Sequence, residues 1–173
     1  MTAHEQGRVR LRPLRPGDEE RAVRWGADEA FCLAVDWPVG LPAEHIRQHW
    51  QGLLTLTPPE LLRHGVTLDG VLVGYTDLAG FTGDSAEFGI AIGEPGLWGQ
   101  GLGLRAGRLT LAHAFYDLHL QTVTAEVHAP NLRSRALMRR LGFTETGPGG
   151  LEEYRGEVVP VIQFVLRRNN FSL

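Results

Sequence analysis

Cysteine is nearly absent from this sequence, and so are features that define several other protein classes. Cys32 is the single cysteine among 173 residues, so no disulfide can form within the chain and a reducing, cytoplasmic location is expected. We interpret Cys32 as a packing residue, because no basic partner stands beside it in the sequence. No cationic start leads into an apolar signal core, and no apolar run approaches the ~20 residues of a membrane span. These absences predict a soluble protein that does not bind a membrane.

An excess of positive charge is also missing. The formal net charge is −3, from 17 Lys and Arg against 20 Asp and Glu, so no overall basic field attracts nucleic acid. Arginines gather locally at 8–15 and 133–140, and patches of that size suit a phosphorylated small ligand; nucleic-acid binding is a weaker alternative without a groove-reading motif. His45 and His49 are spaced i, i+4 but lack a further carboxylate or cysteine motif, so no metal site is predicted.

The sequence does contain a regular succession of strand and helix patterns, separated by short turns at proline and glycine. With 43% apolar and 21% charged residues and no linker or repeat, one domain spanning 1–173 is expected. The patterns predict a mixed α/β (α+β) domain whose first half is mostly antiparallel. Strands are predicted at 8–14, 66–68, 71–81, 86–92, 122–128, 143–146 and 158–166, helices at 18–27, 42–54, 101–119 and 131–141, and loops at 28–41 and 152–156. Asp69-Gly70 is predicted as a two-residue hairpin turn and residues 147–150 as a glycine-rich turn. Asp18 is expected to cap the first helix, Gly142 to close the last one, and Leu109 to widen the apolar face of the long helix.

The most informative stretch is W-G-Q-G-L-G-L, from Trp98 to Leu104, which lies between a predicted strand and the predicted long helix. Glycine lets the backbone approach a ligand closely, and the first N–H groups of a helix have no intrahelical acceptor. Together with the helix dipole they form an anion site that needs no lysine. A glycine-rich turn that only packs the helix against the sheet is the alternative interpretation.

Two familiar nucleotide loops do not fit this stretch. The P-loop ends in Gly-Lys-Ser/Thr, whereas Gly103 is followed by Leu104 and Arg105. The dinucleotide fingerprint has the spacing G-x-G-x-x-G in an early βαβ unit, whereas Gly99, Gly101 and Gly103 alternate and follow antiparallel strands. The stretch therefore predicts a phosphate site outside both nucleotide-binding folds.

Four segments of the chain, in this order, are similar to one known family. They read R-L-R-P-L-R-P-G-D-E at 10–19, A-E-F-G-I-A-I at 86–92, L-W-G-Q-G-L-G at 97–103 and N-L-R-S-R-A-L-M-R-R-L-G-F at 131–143. Together they resemble the general N-acetyltransferase (GNAT) superfamily, in the branch of ribosomal-protein N-terminal acetyltransferases and spermidine acetyltransferases. The resemblance implies a GNAT-type mixed, mostly antiparallel central sheet, splayed at its middle and flanked by helices. It also implies an acetyl-CoA-dependent N-acetyltransferase that acts by direct transfer.

For acetyl-CoA, a co-substrate used without a metal, the resemblance assigns binding roles to three places. Backbone amides of the glycine loop bind the pyrophosphate, an open strand edge pairs with the pantetheine arm, and the start of the last helix contacts the arm and the 3′-phosphate. In that order the residues are Gln100, Gly101, Leu102, Gly103, Leu104 and Arg105; Ile90, Ala91 and Ile92; and Asn131 with Arg139 or Arg140. The arginine match is positional, and a solvated helix face is its alternative. Trp98 replaces the superfamily's usual Arg or Gln, as is familiar in the ribosomal-protein branch.

Acyl transfer to an amine needs a base for the amine and a proton for the leaving thiolate. Many relatives place a tyrosine seven residues after the asparagine, where this chain has Met138, and the resemblance assigns that role to Ser134 instead. A first-turn serine that serves only the helix terminus is the alternative. For the base, Glu153 in the segment E-E-Y-R-G is favoured over Glu87, which could instead be a cross-strand ion-pair partner. Glu152 is interpreted as an exposed neighbour.

The acceptor pocket is predicted from residues 31–37, the second helix and residues 152–154. Asp36 and Trp37 suit a cationic amine, unless Trp37 caps the core and Asp36 faces water; Tyr154 is a further candidate for substrate binding. The branch favours a protein N-terminal amine as acceptor, and leaves a polyamine, an aminoglycoside or an amino-acid derivative open. A sensor that binds acyl-CoA without turnover is an alternative, against which Ser134 and the two carboxylates argue. Relatives often dimerise, which leaves a homodimer open.

Overall fold

Tight turns join successive strands, so most of the sheet is built in chain order. Within residues 7–173, which the computed structural model describes, seven strands form one sheet in the order β1-β2-β3-β4-β5-β7-β6. Their bounds are Val9–Pro13 (β1), Leu61–Leu68 (β2), Val71–Thr82 (β3), Ser85–Ile92 (β4), Thr122–His128 (β5), Thr144–Tyr154 (β6) and Glu157–Arg167 (β7). Asp69 and Gly70 have φ of 50° and 83°, the positive values of a type I′ hairpin turn. Neighbouring strands are antiparallel except β4 and β5, which confirms the predicted fold class.

Helices cover both faces of this sheet. The described residues form five α-helices, Asp18–Gly26 (α1), Glu29–Val35 (α2), Ala43–Leu53 (α3), Leu102–Ala112 (α4) and Leu132–Leu141 (α5). α5 ends as predicted at Gly142, whose φ of 101° is a left-handed cap. α4 continues through a wide π-helical turn at His113–Asp117, which keeps Phe115 fully buried. Leu109, expected on the apolar face, is exposed instead.

The predicted loop at 28–41 was partly wrong, because it contains helix α2. The Asp28 carboxylate accepts a hydrogen bond from the Phe31 N–H at 3.3 Å and so caps the helix. Phe31 and Cys32 are fully buried against α1 and α3. Seven residues make only two turns, which is too short for a helical period to show in the sequence. Burial raises the pKa of the Cys32 thiol, which is consistent with a packing role.

The second half of the last hairpin also differs from the prediction. Residues 147–156 were predicted as a glycine-rich turn followed by a loop, yet β6 runs through them to Tyr154. Its pairing with β7 slips at two places, between Glu145 and Gly147 and between Pro148 and Leu151. Such bulges let glycine and proline stay in an edge strand. The strand therefore delivers residues 152–154 to the sheet, and their side chains alternate between its two faces.

The centre of the sheet opens between β4 and β5, as the resemblance implies. Their parallel pairing runs from Ser85 opposite Thr122 to Glu87 opposite Thr124 and ends there. Beyond that point β4 stays paired with β3, and β5 with β7. A core containing Phe88, Leu111, Phe115, Val123 and Phe164 lies on the α4–α5 face, and one containing Trp25, Phe31, Trp50 and Tyr75 lies on the α1–α3 face. Each half is anchored separately, so the gap is part of the fold.

Asp18 was expected to cap α1, and this expectation was wrong. Gly17 occupies the cap position with a φ of 102°, and the Asp18 carboxylate accepts two hydrogen bonds from Arg12 at 2.9 Å and one from the Arg15 N–H at 2.9 Å. Burial alone would raise the pKa of Asp18, but these bonds and the two guanidinium charges outweigh it and lower the pKa. The carboxylate thus fastens β1 to the start of α1.

Replacing Asp18 by Asn should lower the free energy of unfolding at pH 7 by about 2 kcal/mol, because Arg12 loses its partner in a half-buried site. A depressed pKa stabilises the fold above the ordinary carboxyl value and loses that effect as the pH falls through the folded-state value. The difference between wild type and Asp18→Asn should therefore be constant from pH 7 to about 5 and shrink below about 4. Urea unfolding at several pH values measures it, with exposed Glu60→Gln as the control. A difference that does not change with pH would contradict the ion-pair explanation.

Candidate active site

A cavity of 830 Å³ passes through the gap between β4 and β5. One end lies among the start of α4, the start of α5 and the glycine loop, and the other lies near α2 and the turn after β6. The lining includes backbone and side chains from both sides of the sheet, among them Asp36, Tyr75, Asp77, Phe88–Ile92, Trp98, Gly101–Leu104, Ala125–His128, Asn131, Ser134, Arg140 and Arg155. A single space therefore connects the two faces of the sheet.

The start of α4 forms the anion-binding end of this cavity. Gly99 and Gly101 have φ of 78° and 80°, a backbone shape that glycine adopts without strain. The first intrahelical bond runs from the Arg105 N–H to the Gly101 carbonyl at 3.1 Å. In the described part of the chain, the N–H groups of Leu102, Gly103 and Leu104 precede that bond and have no backbone acceptor. The helix dipole adds to them, so three N–H groups offer an anion site.

Two predicted members of this loop lie outside the cavity lining. The Arg105 N–H already serves the helix, and its guanidinium donates to the Gly7 carbonyl. The Gln100 side chain donates to the Gly96 carbonyl at 3.1 Å, which braces the loop from outside. The resemblance assigned the amides of Gln100 to Arg105 to the pyrophosphate, but the first intrahelical hydrogen bond already uses the Arg105 amide.

Trp98 holds the glycine loop against the end of β4. Its indole Nε1 donates to the Ile92 carbonyl at 2.9 Å, and the Arg133 guanidinium lies 4.8 Å from the centre of its ring, within the range of a cation–π contact. A tryptophan at this position thus ties the loop, β4 and the start of α5 together.

The open edge of β4 presents backbone groups to the gap. The Gly93 N–H donates to the Val73 carbonyl at 2.6 Å, and consecutive residues of a strand direct their backbone groups to alternate sides. The groups of Ile90 and Ile92 therefore face the gap, whereas those of Ala91 face β3. The Ile92 carbonyl is taken by Trp98, so Ile90 keeps both a donor and an acceptor. The prediction that Ala91 pairs with a ligand through its backbone is corrected: its small side chain borders the cavity instead.

The start of α5 faces the same end of the cavity. The Asn131 Oδ1 accepts from the Ser134 N–H at 3.2 Å and caps the helix, which leaves the Asn131 NH2 group and the Ser134 hydroxyl on the cavity side. Arg139, one of the two arginines that the resemblance assigns to the 3′-phosphate, pairs with Glu145 at 2.8 Å and does not line the cavity. Arg140 does line it. The two arginines are neighbours on a helix and point about 100° apart.

The opposite end of the cavity is acidic. Asp36, Asp77 and Glu126 line it, together with His128, and Asp77 is paired with the Arg63 guanidinium at 2.7 Å. The His128 Nε2 lies 2.8 Å from a Glu152 carboxylate oxygen and 4.0 Å from one of Asp36. Asp36 and Glu152 fall in segments predicted to form the acceptor pocket, whereas Asp77, Glu126 and His128 were not predicted. The signal for Glu126 and His128 was the polar face of the predicted strand at 122–128, where they alternate with buried residues.

The two predicted bases occupy different surroundings. Burial raises the pKa of Glu87, and the charges of Glu126 and Glu152 raise it further, so Glu87 belongs to the acidic end although it does not line the cavity. Glu153 pairs across the hairpin with Val158 and is exposed. Because side chains of a strand alternate, it points to the face opposite that of Glu152 and Tyr154. The structure thus places Glu152, and not Glu153, at the acceptor end.

Trp37 is partly buried and Tyr154 is buried, and neither side chain lines the cavity. The Trp37 Nε1 donates to the Tyr75 hydroxyl at 3.0 Å, and its ring packs edge-on against Phe31 at 5.0 Å. Burial raises the pKa of Tyr75 to about 12, so its hydroxyl stays protonated. Tyr154 is buried and stacks on His128. Of the predicted acceptor contacts, Asp36 lines the cavity directly, and the aromatic rings support it from behind.

Across residues 7–173, no three His, Cys, Asp or Glu side chains come together as a set that could hold a metal ion. None of the helices described above has both the length and the apolar character needed to cross a membrane.

A sheet opened at its centre, with unpaired helix N–H groups at one mouth and carboxylates at the other, fits an acyltransferase that uses acyl-coenzyme A. Residues 8–144 match the acetyltransferase (GNAT) domain. The chain belongs to this family, whose enzymes transfer an acetyl group from acetyl-CoA to an amine.

Solved structures of acetyltransferases have the same fold. The GNAT-family acetyltransferase from Bacillus anthracis is 18% identical, with a TM-score of 0.81 over 95% of this chain and 98% of that one. Spermidine N-acetyltransferase from Vibrio cholerae, in complex with CoA and spermine, is 20% identical, with a TM-score of 0.80 over 94% and 96%. Mycobacterium smegmatis RimJ, in complex with CoA-disulfide, is 23% identical, with a TM-score of 0.77 over 94% and 83%. At these identities the likeness supports the fold and leaves the acceptor open.

Proposed function

We propose that this acetyltransferase acts on a cationic primary amine, the α-amine of a polypeptide N-terminus, and transfers the acetyl group directly. The observation that carries the proposal is the single cavity that joins the anion site of α4 to the acidic end through the gap in the sheet. A donor with a phosphorylated tail and an acceptor with a positive charge would each meet complementary charge, and they would meet each other at the gap.

The coenzyme would enter from the α4–α5 face. Its pyrophosphate would accept hydrogen bonds from the N–H groups of Leu102, Gly103 and Leu104, and its amide-bearing arm would extend the sheet along Ile90. The Asn131 side-chain NH2 would donate to the same arm. Arg140 lines this end of the cavity, as Arg133 does, and would approach the 3′-phosphate.

Ser134 would act on the leaving sulfur. It lies in the first turn of α5 and lines the cavity, where its hydroxyl is not needed as a cap because Asn131 provides that cap. A serine hydroxyl is a weak acid, so we assign it to orienting the sulfur or a water that supplies the proton.

The polypeptide acceptor is supported by the similarity to RimJ and by the Trp98 loop described above. A polyamine acceptor is the second candidate, and the acidic end is the observation that favours it. Asp77 is paired with Arg63, but Asp36 and Glu126 together still exceed the one negative charge that a single ammonium needs. The two acceptors differ in how far positive charge extends from the reacting amine.

Thiol release from acetyl-CoA, measured with a peptide that begins with serine, with the same peptide blocked at its N-terminus and with spermidine, tests the proposal. We expect turnover with the free peptide and none with the blocked peptide. Turnover with spermidine alone would replace the polypeptide acceptor by the polyamine. Acetyl-CoA binding in calorimetry without turnover on either amine would contradict the transferase activity on these substrates and favour an acyl-CoA-binding module.

A further inference from the structure

His128 ends β5 at the acceptor side of the gap and is the imidazole in the cavity lining. We propose that His128, held by Glu152, is the group that accepts the proton of the substrate ammonium. The proposal rests on the proposed function, because it names the base for the same transfer. It replaces the predicted base Glu153 with a different residue on a different strand.

The imidazole is held in one orientation from two directions. Its Nε2 lies 2.8 Å from the Glu152 carboxylate, and its ring stacks on Tyr154 with centroids 4.5 Å apart and planes 17° apart. Only 15% of the His128 side chain is exposed. A carboxylate beside one ring nitrogen keeps the proton on that nitrogen, which leaves the other with a lone pair.

The Nδ1 atom is therefore the position that can take a proton. Among residues 7–173, Nδ1 of His128 makes no hydrogen bond, whereas Nε2 is occupied by Glu152. Because the ring borders the cavity, an amine that enters the acidic end can reach Nδ1 directly or through one water. This arrangement has the three parts of a carboxylate–histidine base: an acceptor nitrogen, a fixed tautomer and a charge that stabilises the protonated ring.

The surrounding charge favours both partners of that proton transfer. Carboxylates attract the ammonium to the site and then stabilise the imidazolium that forms. Two arginines lie at this end: Arg63 is paired with Asp77 at 2.7 Å, and Arg155 lies 5.3 Å from the centre of the Tyr154 ring and donates to the Leu33 carbonyl at 3.3 Å. The charged groups around His128, taken over every described element at this end, are Asp36 at the end of α2, Arg63 of β2, Asp77 of β3, Glu87 of β4, Glu126 of β5, Glu152 of β6 and Arg155 of the β6–β7 turn.

The proposed transfer accounts for every proton and electron pair. The ammonium gives one proton to Nδ1 of His128, and the neutral amine nitrogen attacks the thioester carbonyl carbon. A C–N bond forms, the C–S bond breaks with its electron pair on sulfur, and the nitrogen loses a second proton, which ends on the thiolate through Ser134 or water. Amide and thiol leave, and His128 returns its proton to solvent. No oxidant, metal or covalent enzyme intermediate is required.

His128→Gln tests this role, because its amide can still donate to Glu152 but cannot take a proton. With the serine-initiated peptide, kcat should fall about 100-fold at pH 6.5, with the affinity for acetyl-CoA in calorimetry unchanged. A peptide α-amine becomes mostly neutral above pH ~8, so the ratio of wild-type to variant kcat/KM should narrow to about 10-fold or less at pH 9. Spermidine serves as the second acceptor in the same assay.

Glu152→Gln and Glu87→Gln distinguish a catalytic base from a residue whose role is only structural. Glu152→Gln keeps a hydrogen-bonding partner but removes the charge, so its kcat should fall about 10-fold with the same narrowing at high pH. Equal loss at every pH in His128→Gln, or wild-type activity in it, would overturn the proposal. So would the same pH signature in Glu87→Gln with none in His128→Gln. A wild-type protein that binds acetyl-CoA but acetylates neither amine would instead refute the proposed function, on which this role depends.

Discussion

Gly101→Glu should weaken acetyl-CoA binding by more than about 100-fold while leaving a folded protein. The substitution places a carboxylate at the mouth of the anion site, beside the N–H groups of Leu102 and Gly103. Two negative charges about 5 Å apart near a protein surface repel each other by about 3 kcal/mol, which corresponds to that loss of affinity. Isothermal titration calorimetry with acetyl-CoA measures the affinity, and circular dichroism confirms that the variant is folded.

The matched control for this prediction is Gly101→Ala. Gly101 has a φ of 80° and an added Cβ would meet no atom within 4 Å, so alanine brings the same backbone strain as glutamate, about 1–2 kcal/mol, without the charge. Both variants should therefore lose similar thermal stability, and only Gly101→Glu should lose the coenzyme. Equal affinity in the two variants would show that the start of α4 does not bind the pyrophosphate.

Gly74→Ala should be the most destabilising single-methyl change in the sheet, at about 3 kcal/mol. Gly74 lies opposite Ile92 where β3 and β4 approach closely. A Cβ on Gly74 would overlap the Ala91 carbonyl oxygen and lie 3.0 Å from the Ile92 Cα. Both are backbone atoms of β4, the strand paired with β3 in the interior of the sheet, so a side-chain rotation cannot relieve the overlap. Urea unfolding measures the change, and a displaced β4 edge should also weaken acetyl-CoA binding.

Gly89→Ala is the control on the same pair of strands. There the nearest atom to an added Cβ is the Asp77 Cβ at 3.8 Å, an ordinary contact, and the change in unfolding free energy should stay within about 0.5 kcal/mol. A wild-type urea midpoint in Gly74→Ala would mean that β3 and β4 are farther apart in solution than described here.

Local patterns predicted the elements whose signals lie within a few residues. The Asp69-Gly70 turn, the strand at 122–128 and helix α5 with its glycine cap all follow from short-range rules on turns, alternation and caps. Helix α2 was missed because it has only two turns, and β6 because glycine and proline at 147–150 usually end a strand. In both cases tertiary contacts, the burial of Phe31 and the pairing with β7, decide the structure.

For the site, the sequence by itself predicted an anion site at the glycine loop, because helix N–H groups without an acceptor and adjacent glycines are properties of a few consecutive residues. The family resemblance added the open edge of β4 and the start of α5. Tertiary structure alone decided that Arg140 and not Arg139 lines the cavity, and that Glu152 and not Glu153 pairs with His128. One residue along a helix turns a side chain by about 100°, one residue along a strand reverses it, and strand register depends on bulges that no local pattern specifies. The pairing of His128 with Glu152, across three strands and 24 positions of sequence, exists only once the sheet has formed.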